Sequence, residues 1–180
     1  MRKTMIAIMG TTVLTLGACT NNEMQTGMPM AGAMSATATV IDSSGRSVGR
    51  ATATDVAGGI RYTFDSTGLP SGTHGAHIHT TGRCDAPDFT TAGGHWNPTT
   101  MQHGTMNPRG PHEGDLPNLI VGTGGRGTLG ITVPGQTMAG LLDTDGAAIV
   151  IHAGPDDLKS DPSGNSGGRI ACGVFVANSG

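Results

Sequence analysis

The stretch IRYTFD, Ile60 to Asp65, sets apolar Ile60, Tyr62 and Phe64 in strict alternation with Arg61, Thr63 and Asp65. A period of two puts the apolar side chains on one face of an extended chain and the polar ones on the other. The segment therefore reads as a strand with one face in a core and one in water. Upstream, the segments TATVID (37–42) and SVGRATAT (47–54) also read as strands, parted by a turn at Ser43-Ser44-Gly45. Downstream, HGAHIH (74–79) is a fourth short strand, and LPNLIV (116–121) with GTLGITV (127–133) reads as a hairpin closed at Thr123-Gly124-Gly125. AAIVIH (147–152) and RIACGVFV (169–176) are continuous apolar runs, as in strands buried on both faces. Eight short strands with regular turn signals predict an all-β, antiparallel sandwich or barrel.

Composition points the same way. The chain of 180 residues holds 31 glycines but only five aromatic residues, so its core must be built from Val, Ile, Leu and Ala between many turns. Such a core leaves room for stabilisation by something other than apolar burial. The N-terminus reads as a targeting segment: Arg2 and Lys3 precede an apolar run, Met5 to Leu16, too short to span a bilayer comfortably. Its end, Leu16-Gly17-Ala18-Cys19, resembles a bacterial lipoprotein signal, in which the cysteine receives lipid. Residues 1–18 are then signal peptide, 19–36 a flexible Met-rich tether, and 37–180 the folded domain. Met24, Met28, Met30 and Met34 could offer thioethers to Cu(I), but we read the tether as an adaptable linker with no ligand role. Loss of residues 1–18 leaves eight basic against thirteen acidic residues, a net charge of −5 that disfavours nucleic acid as a partner.

Export also sorts the three cysteines. With Cys19 lipidated, Cys84 and Cys172 remain in an oxidising compartment and are expected to pair. Two connections are too long for ordinary turns: residues 80–115 and residues 153–168. Ordered loops of that length are usually functional and must be pinned. The longer one contains Cys84, His95, His103, His112 and Asp115, so a disulfide and a metal would pin it.

The chain has seven histidines, and three of them, His74, His77 and His79, fall within six residues. His77 and His79 are two apart on a strand and share a face, half of a four-imidazole metal site. Alone, such a pair is more often two surface histidines. That reading weakens beside His95 in GGHWNP, His103 in QHGTMNP, His112 and Asp115 in HEGD, and His152 at the end of an apolar strand in IVIHAGPDD.

HGAHIH, AGGHWNP, PHEGDLPN, VIHAGPDD and GNSGGRIACGV occur in an order and spacing that resembles the copper–zinc superoxide dismutases, over about residues 37 to 177 and closest to the bacterial periplasmic branch. The resemblance implies an eight-stranded Greek-key sandwich or barrel with two long functional loops. It implies copper held by His77, His79, His95 and His152, and zinc held by His95, His103, His112 and Asp115, with the His95 imidazolate shared. Imidazoles suit copper, while three imidazoles and a carboxylate make a closed tetrahedral site for redox-inert zinc. It further implies that Arg169 attracts and orients the superoxide anion, that Asp156 holds the free nitrogens of His77 and His103, and that His74 is structural. Lys159 is the candidate to assist Arg169, with Asp156, Asp157 and Asp161 opposing it.

The activity implied is dismutation of superoxide to dioxygen and hydrogen peroxide, on the periplasmic side of a bacterial membrane reached only through the lipid anchor. The chain would be a monomer or a homodimer. Departures from the family pattern are Ala76 in place of an aromatic, Thr80 in place of an acid and Trp96 in place of Phe. The alternative is a non-enzymatic copper-binding module of the same fold, which would have lost a ligand or the arginine. A zinc hydrolase would need an open zinc position and a general base.

Overall fold

The structure, a computed structural model, describes residues 34–179. The alternating segments form strands β1 (Ser35–Asp42), β2 (Ser47–Val56) and β3 (Gly59–Thr67), with Ala36, Ala38 and Val40 of β1 and Ile60, Tyr62 and Phe64 of β3 all buried. β1 begins at Ser35, two residues before the segment read from the sequence. The HGAHIH stretch splits at Gly75 into β4 (Gly72–His74) and β5 (Ala76–His79). There follow β6 (Leu119–Val121), β7 (Arg126–Pro134), a single helical turn α1 (Met138–Leu141), β8 (Ala148–His152), β9 (Arg169–Val174) and the short β10 (Val176–Ala177).

All pairings are antiparallel. One sheet runs β5-β8-β9-β1-β2-β3-β7, with β10 also against β1, and curls around the main core in the Greek-key manner; β4 and β6 pair separately. The hairpin expected between 116–121 and 127–133 is not formed. The turn closes, Gly122 N–H donating to the Arg126 carbonyl at 2.8 Å. β7 then runs the full length of β3, while β6 leaves to pair with β4. Periodicity could not distinguish these outcomes, because a bare apolar triplet such as Leu119–Val121 carries no signal for which neighbour it will meet.

The core is rich in small residues, as composition implied. Ala36, Ala38, Ala51, Ala53, Ala76 and Ala171 surround Tyr62, Phe64, Leu119 and Ile149. Phe64 is 1% exposed, and its truncation to Ala would cost about 3–5 kcal/mol. A smaller second cluster joins Phe89 and Ala92 of the long connection to Ala148, Val150 and Cys172, with Cys84 against it. Cys84 and Cys172 are disulfide-bonded, with Cα atoms 5.6 Å apart. The bond closes an 88-residue separation and ties the first long loop to β9. Such a bond fits an oxidising, extracytoplasmic compartment.

Candidate metal centre

β5 is the platform. Its alternation points Ala76 and Ile78 into the core and His77 and His79 to the opposite face. β8 pairs with one edge of β5. On the other edge the long loop folds back: Trp96 N–H donates to the Ile78 carbonyl, and Ile78 N–H to the Gly114 carbonyl, both at 2.8 Å. Gly114 permits this approach, since a methyl group there would overlap the Ile78 carbonyl. The loop thereby brings His95 opposite His79 and Asp115 opposite His77. His152 ends β8, paired with Arg169 across a register shift.

Four imidazoles converge. The ligand atoms of His77, His79, His95 and His152 all lie within 4.8 Å of one another. His77 Nδ1, His79 Nε2, His95 Nε2 and His152 Nε2 are all buried without a hydrogen-bond partner. A buried unpartnered imidazole nitrogen is costly on its own, and four aimed at one point have the donor chemistry of a metal site. The second nitrogen of three of these rings is held in place. His77 Nε2 lies 2.8 Å from Asp156 Oδ2, His79 Nδ1 lies 2.9 Å from the Gly93 carbonyl, and His152 Nδ1 lies 3.0 Å from the Gly167 carbonyl.

A second set forms around Asp115. Its Oδ1 lies 2.8 Å from His95 Nδ1, 3.0 Å from His103 Nδ1 and 3.2 Å from His112 Nδ1. His112 Nδ1 and His95 Nδ1 are 3.3 Å apart. A tetrahedron with metal–nitrogen bonds of about 2.0–2.1 Å has edges of about 3.3–3.4 Å. The spacing therefore fits a small tetrahedral cation. By distance alone His77 also joins His95, His103 and Asp115. Direction removes it, because its Nε2 is engaged by Asp156 and its Nδ1 is one of the unpartnered four, so His112 completes the second set. Asp115 is held through its other oxygen, which accepts from the N–H groups of Gly104 at 2.8 Å and His112 at 2.9 Å.

Asp156 links the two sets, with Oδ2 on His77 and Oδ1 3.0 Å from His103 Nε2. Asn118 clamps its backbone, donating to the Asp156 carbonyl at 2.9 Å and accepting its N–H at 2.8 Å. Gly164 leaves the room this requires, since a methyl group there would overlap the carboxylate. Asn118 had no role in the sequence reading. Asp161, counted there as a charge opposing Arg169, instead accepts from the His103 N–H at 2.7 Å. His74 Nδ1 and Nε2 lie 2.8 and 3.0 Å from the carbonyls of His152 and Pro70.

Burial sets the charge state. It lowers His77 to about 4, and it moves His79, His95 and His152 below the ordinary imidazole value as well. Neutral imidazole is the form that binds a metal. Burial pulls His103 down too, but its contacts with Asp115 and Asp156 outweigh this and raise it to about 9. The same contacts overcome burial to hold both carboxyls well below the usual range.

A cavity of about 360 Å³ opens over His79, His95 and His152, with Arg169 in its lining. Arg169 is fixed from the long loop. Its Nη1 donates to the Phe89 carbonyl and its Nη2 to the Gly93 carbonyl, each at 2.7 Å. Lys159 is exposed and does not line the cavity; the other charged residue there is Asp88. Any pull of Lys159 on an anion acts from outside the cavity. Sequence spacing could not show that the second long loop turns Lys159 outward.

Known proteins share this fold. The family model described as copper/zinc superoxide dismutase matches residues 47–175. The chain is 41% identical over 143 residues to superoxide dismutase Cu-Zn 1 of Aquifex aeolicus, covering 76% of this chain and 85% of that one. It is 41% identical over 148 residues to the Cu-Zn superoxide dismutase of Caulobacter vibrioides, covering 78% and 85%. Among solved structures, a superoxide dismutase-like protein from Bacillus subtilis superposes with a TM-score of 0.73 at 36% identity, covering 78% of this chain and 97% of that one. A Greek-key β fold, a double imidazole cluster and these matches have one common reading: the chain belongs to the copper/zinc superoxide dismutases, enzymes that use both metals.

Proposed function

We propose that the chain dismutates superoxide at a copper ion held by His77, His79, His95 and His152. Zinc would be held by His95, His103, His112 and Asp115, with the His95 ring shared. The observation that carries this is the set of four buried, unpartnered imidazole nitrogens beneath a cavity lined by Arg169. Support for sharing comes from His95 itself, whose Nε2 belongs to the first set and whose Nδ1 faces Asp115. When bound, copper supplies one-electron redox chemistry and zinc holds its ligands rigid.

The chain's own residues do the rest. The Arg169 guanidinium, fixed to two carbonyls, attracts the anion and orients it over the imidazoles. Asp156 holds His77 and His103 in the orientation that directs their other nitrogens inward. Superoxide that gains an electron must take up two protons to leave as hydrogen peroxide, and His95 Nε2, whenever it is not engaged by copper, would be placed beneath the cavity to hold one of them. Metal content and dismutation rate, measured on one preparation of the domain, test the reading. One copper and one zinc per chain with rapid dismutation are expected. Both metals without turnover would favour the non-enzymatic module.

We further propose that Cys19 carries lipid and tethers the domain on the periplasmic side of a bacterial membrane. Cys19 and the methionines Met24, Met28 and Met30 lie outside the described residues, and Met34, just before β1, is exposed. Incorporation of a palmitate analogue, lost in Cys19→Ser, tests the anchor.

A further inference from the structure

The cavity above the imidazoles is open to solvent and has a volume of about 360 Å³, room for several water-sized molecules. A cavity of this volume has room for anions larger than diatomic superoxide, so volume alone does not sort them. Selection has to come from charge. Apart from imidazoles, the lining holds two charged side chains, Arg169 and Asp88. A cation that attracts the substrate shares its space with an acid that repels it.

Asp88 is exposed, but its position is built. Its Oδ1 accepts from the Thr90 N–H at 3.2 Å and from the Thr90 hydroxyl at 3.0 Å. Between them sits Phe89, fully buried, with a left-handed backbone (φ 54°) and with its carbonyl on Arg169 Nη1. The turn that fixes the guanidinium therefore fixes the carboxylate. Each group feels the other: burial lowers the pKa of Arg169 and Asp88 acts to raise it, while Arg169 adds to the lowering of Asp88 that its contacts with Thr90 begin.

We propose that Asp88 is a specificity-determining residue of this site, trimming the positive potential of Arg169 so that multiply charged anions, inorganic phosphate above all, are kept from the guanidinium in a cavity with room to hold them. The inference rests on the reading of the cavity as the entrance for superoxide. The physical reason is that a potential acts on an ion in proportion to its charge. Superoxide carries one negative charge, whereas phosphate at mildly alkaline pH is largely a dianion. If neutralising Asp88 raises entry of the monoanion by a factor f, occupancy by the dianion rises by about f squared. The carboxylate thus slows superoxide by f, weakens phosphate by f squared, and so improves discrimination between them by f.

The experiment compares Asp88→Asn with the parent. Asn retains an oxygen that can accept from Thr90, and Asp88→Ser serves as a second variant. Asp65→Asn, on the exposed face of β3, removes the same charge elsewhere as a control. Inorganic phosphate is titrated calorimetrically into metal-loaded and metal-free domains, and dismutation is measured at low salt with and without phosphate. Asp88→Asn is expected to dismutate about 2-fold faster and to bind phosphate about 4-fold more tightly in both forms. Asp65→Asn should match the parent. Parental phosphate affinity in both Asp88 variants, or equal gains for the two anions, would overturn the role of Asp88. If Arg169→Gln instead left phosphate affinity and dismutation unchanged, the reading of the cavity itself would fail.

Discussion

Arg169 and His79 are tied to the same oxygen. The Gly93 carbonyl accepts from Arg169 Nη2 at 2.7 Å and lies 2.9 Å from His79 Nδ1. The position of the guanidinium proposed to guide the anion and the orientation of one imidazole therefore depend on a single peptide group in the first long loop. That loop is held from outside the site, by the Cys84–Cys172 bond and by burial of Phe89.

The two carbonyl contacts separate charge from geometry at Arg169. Arg169→Lys keeps the charge but cannot span both carbonyls, and should lower the dismutation rate by roughly 2–10-fold; Arg169→Glu should lower it by at least about 10–100-fold. Metal content should be unchanged in both, since no proposed ligand is touched. Pulse radiolysis on fully loaded variants decides the matter. A Glu variant as fast as the parent would remove Arg169 from its role.

His95→Ala should deplete both metals, because its two nitrogens face different sets. His79→Ala should deplete copper and leave zinc near one per chain. Elemental analysis of variants loaded in parallel distinguishes them, and normal copper and zinc in the His95 variant would refute the shared ring.

Reducing the disulfide should lower stability by up to about 4–5 kcal/mol, the chain-entropy value for so long a loop. It should also loosen residues 84–93, detected as faster amide exchange there than in β2 and β3. Because Arg169 is held by that segment, activity should fall before metal is lost. Reduced protein with parental melting and exchange would show that the apolar cluster alone pins the loop.

The metal-free domain should be most stable near pH 6.5. Below this the unfolded chain protonates imidazoles that the fold keeps neutral, His77 down to about 4 and also His79, His95 and His152, so stability falls with pH. Above it folded His103 retains a proton, up to about 9, that the unfolded chain releases, so stability falls again as pH rises. Each proton is worth about 1.4 kcal/mol per pH unit. With four imidazoles against one, the acid flank should be the steeper. Thermal melts of chelator-treated domain across this range test the shape, and equal stability at about pH 5 and pH 6.5 would contradict it.

Sequence alone determined the strands and marked the unusual chemistry. Ile60, Tyr62 and Phe64 announce β3 because a pleated chain has a period of two and no other regular structure does. His77 and His79 announce a shared face for the same reason, and Cys84 with Cys172 follows from compartment and count. These are local or compositional facts. What local pattern does not encode is which distant backbone approaches which. Only the tertiary structure sent β6 to β4, turned Lys159 outward and put Asp88 into the cavity with Arg169. It also supplied Gly93, Phe89 and Asn118, whose roles come from backbone carbonyls and a bidentate clamp that any residue type or an ordinary loop Asn could have provided. Loops without periodicity are positioned by the contacts they make across the fold, and those contacts exist only once the sheet has closed.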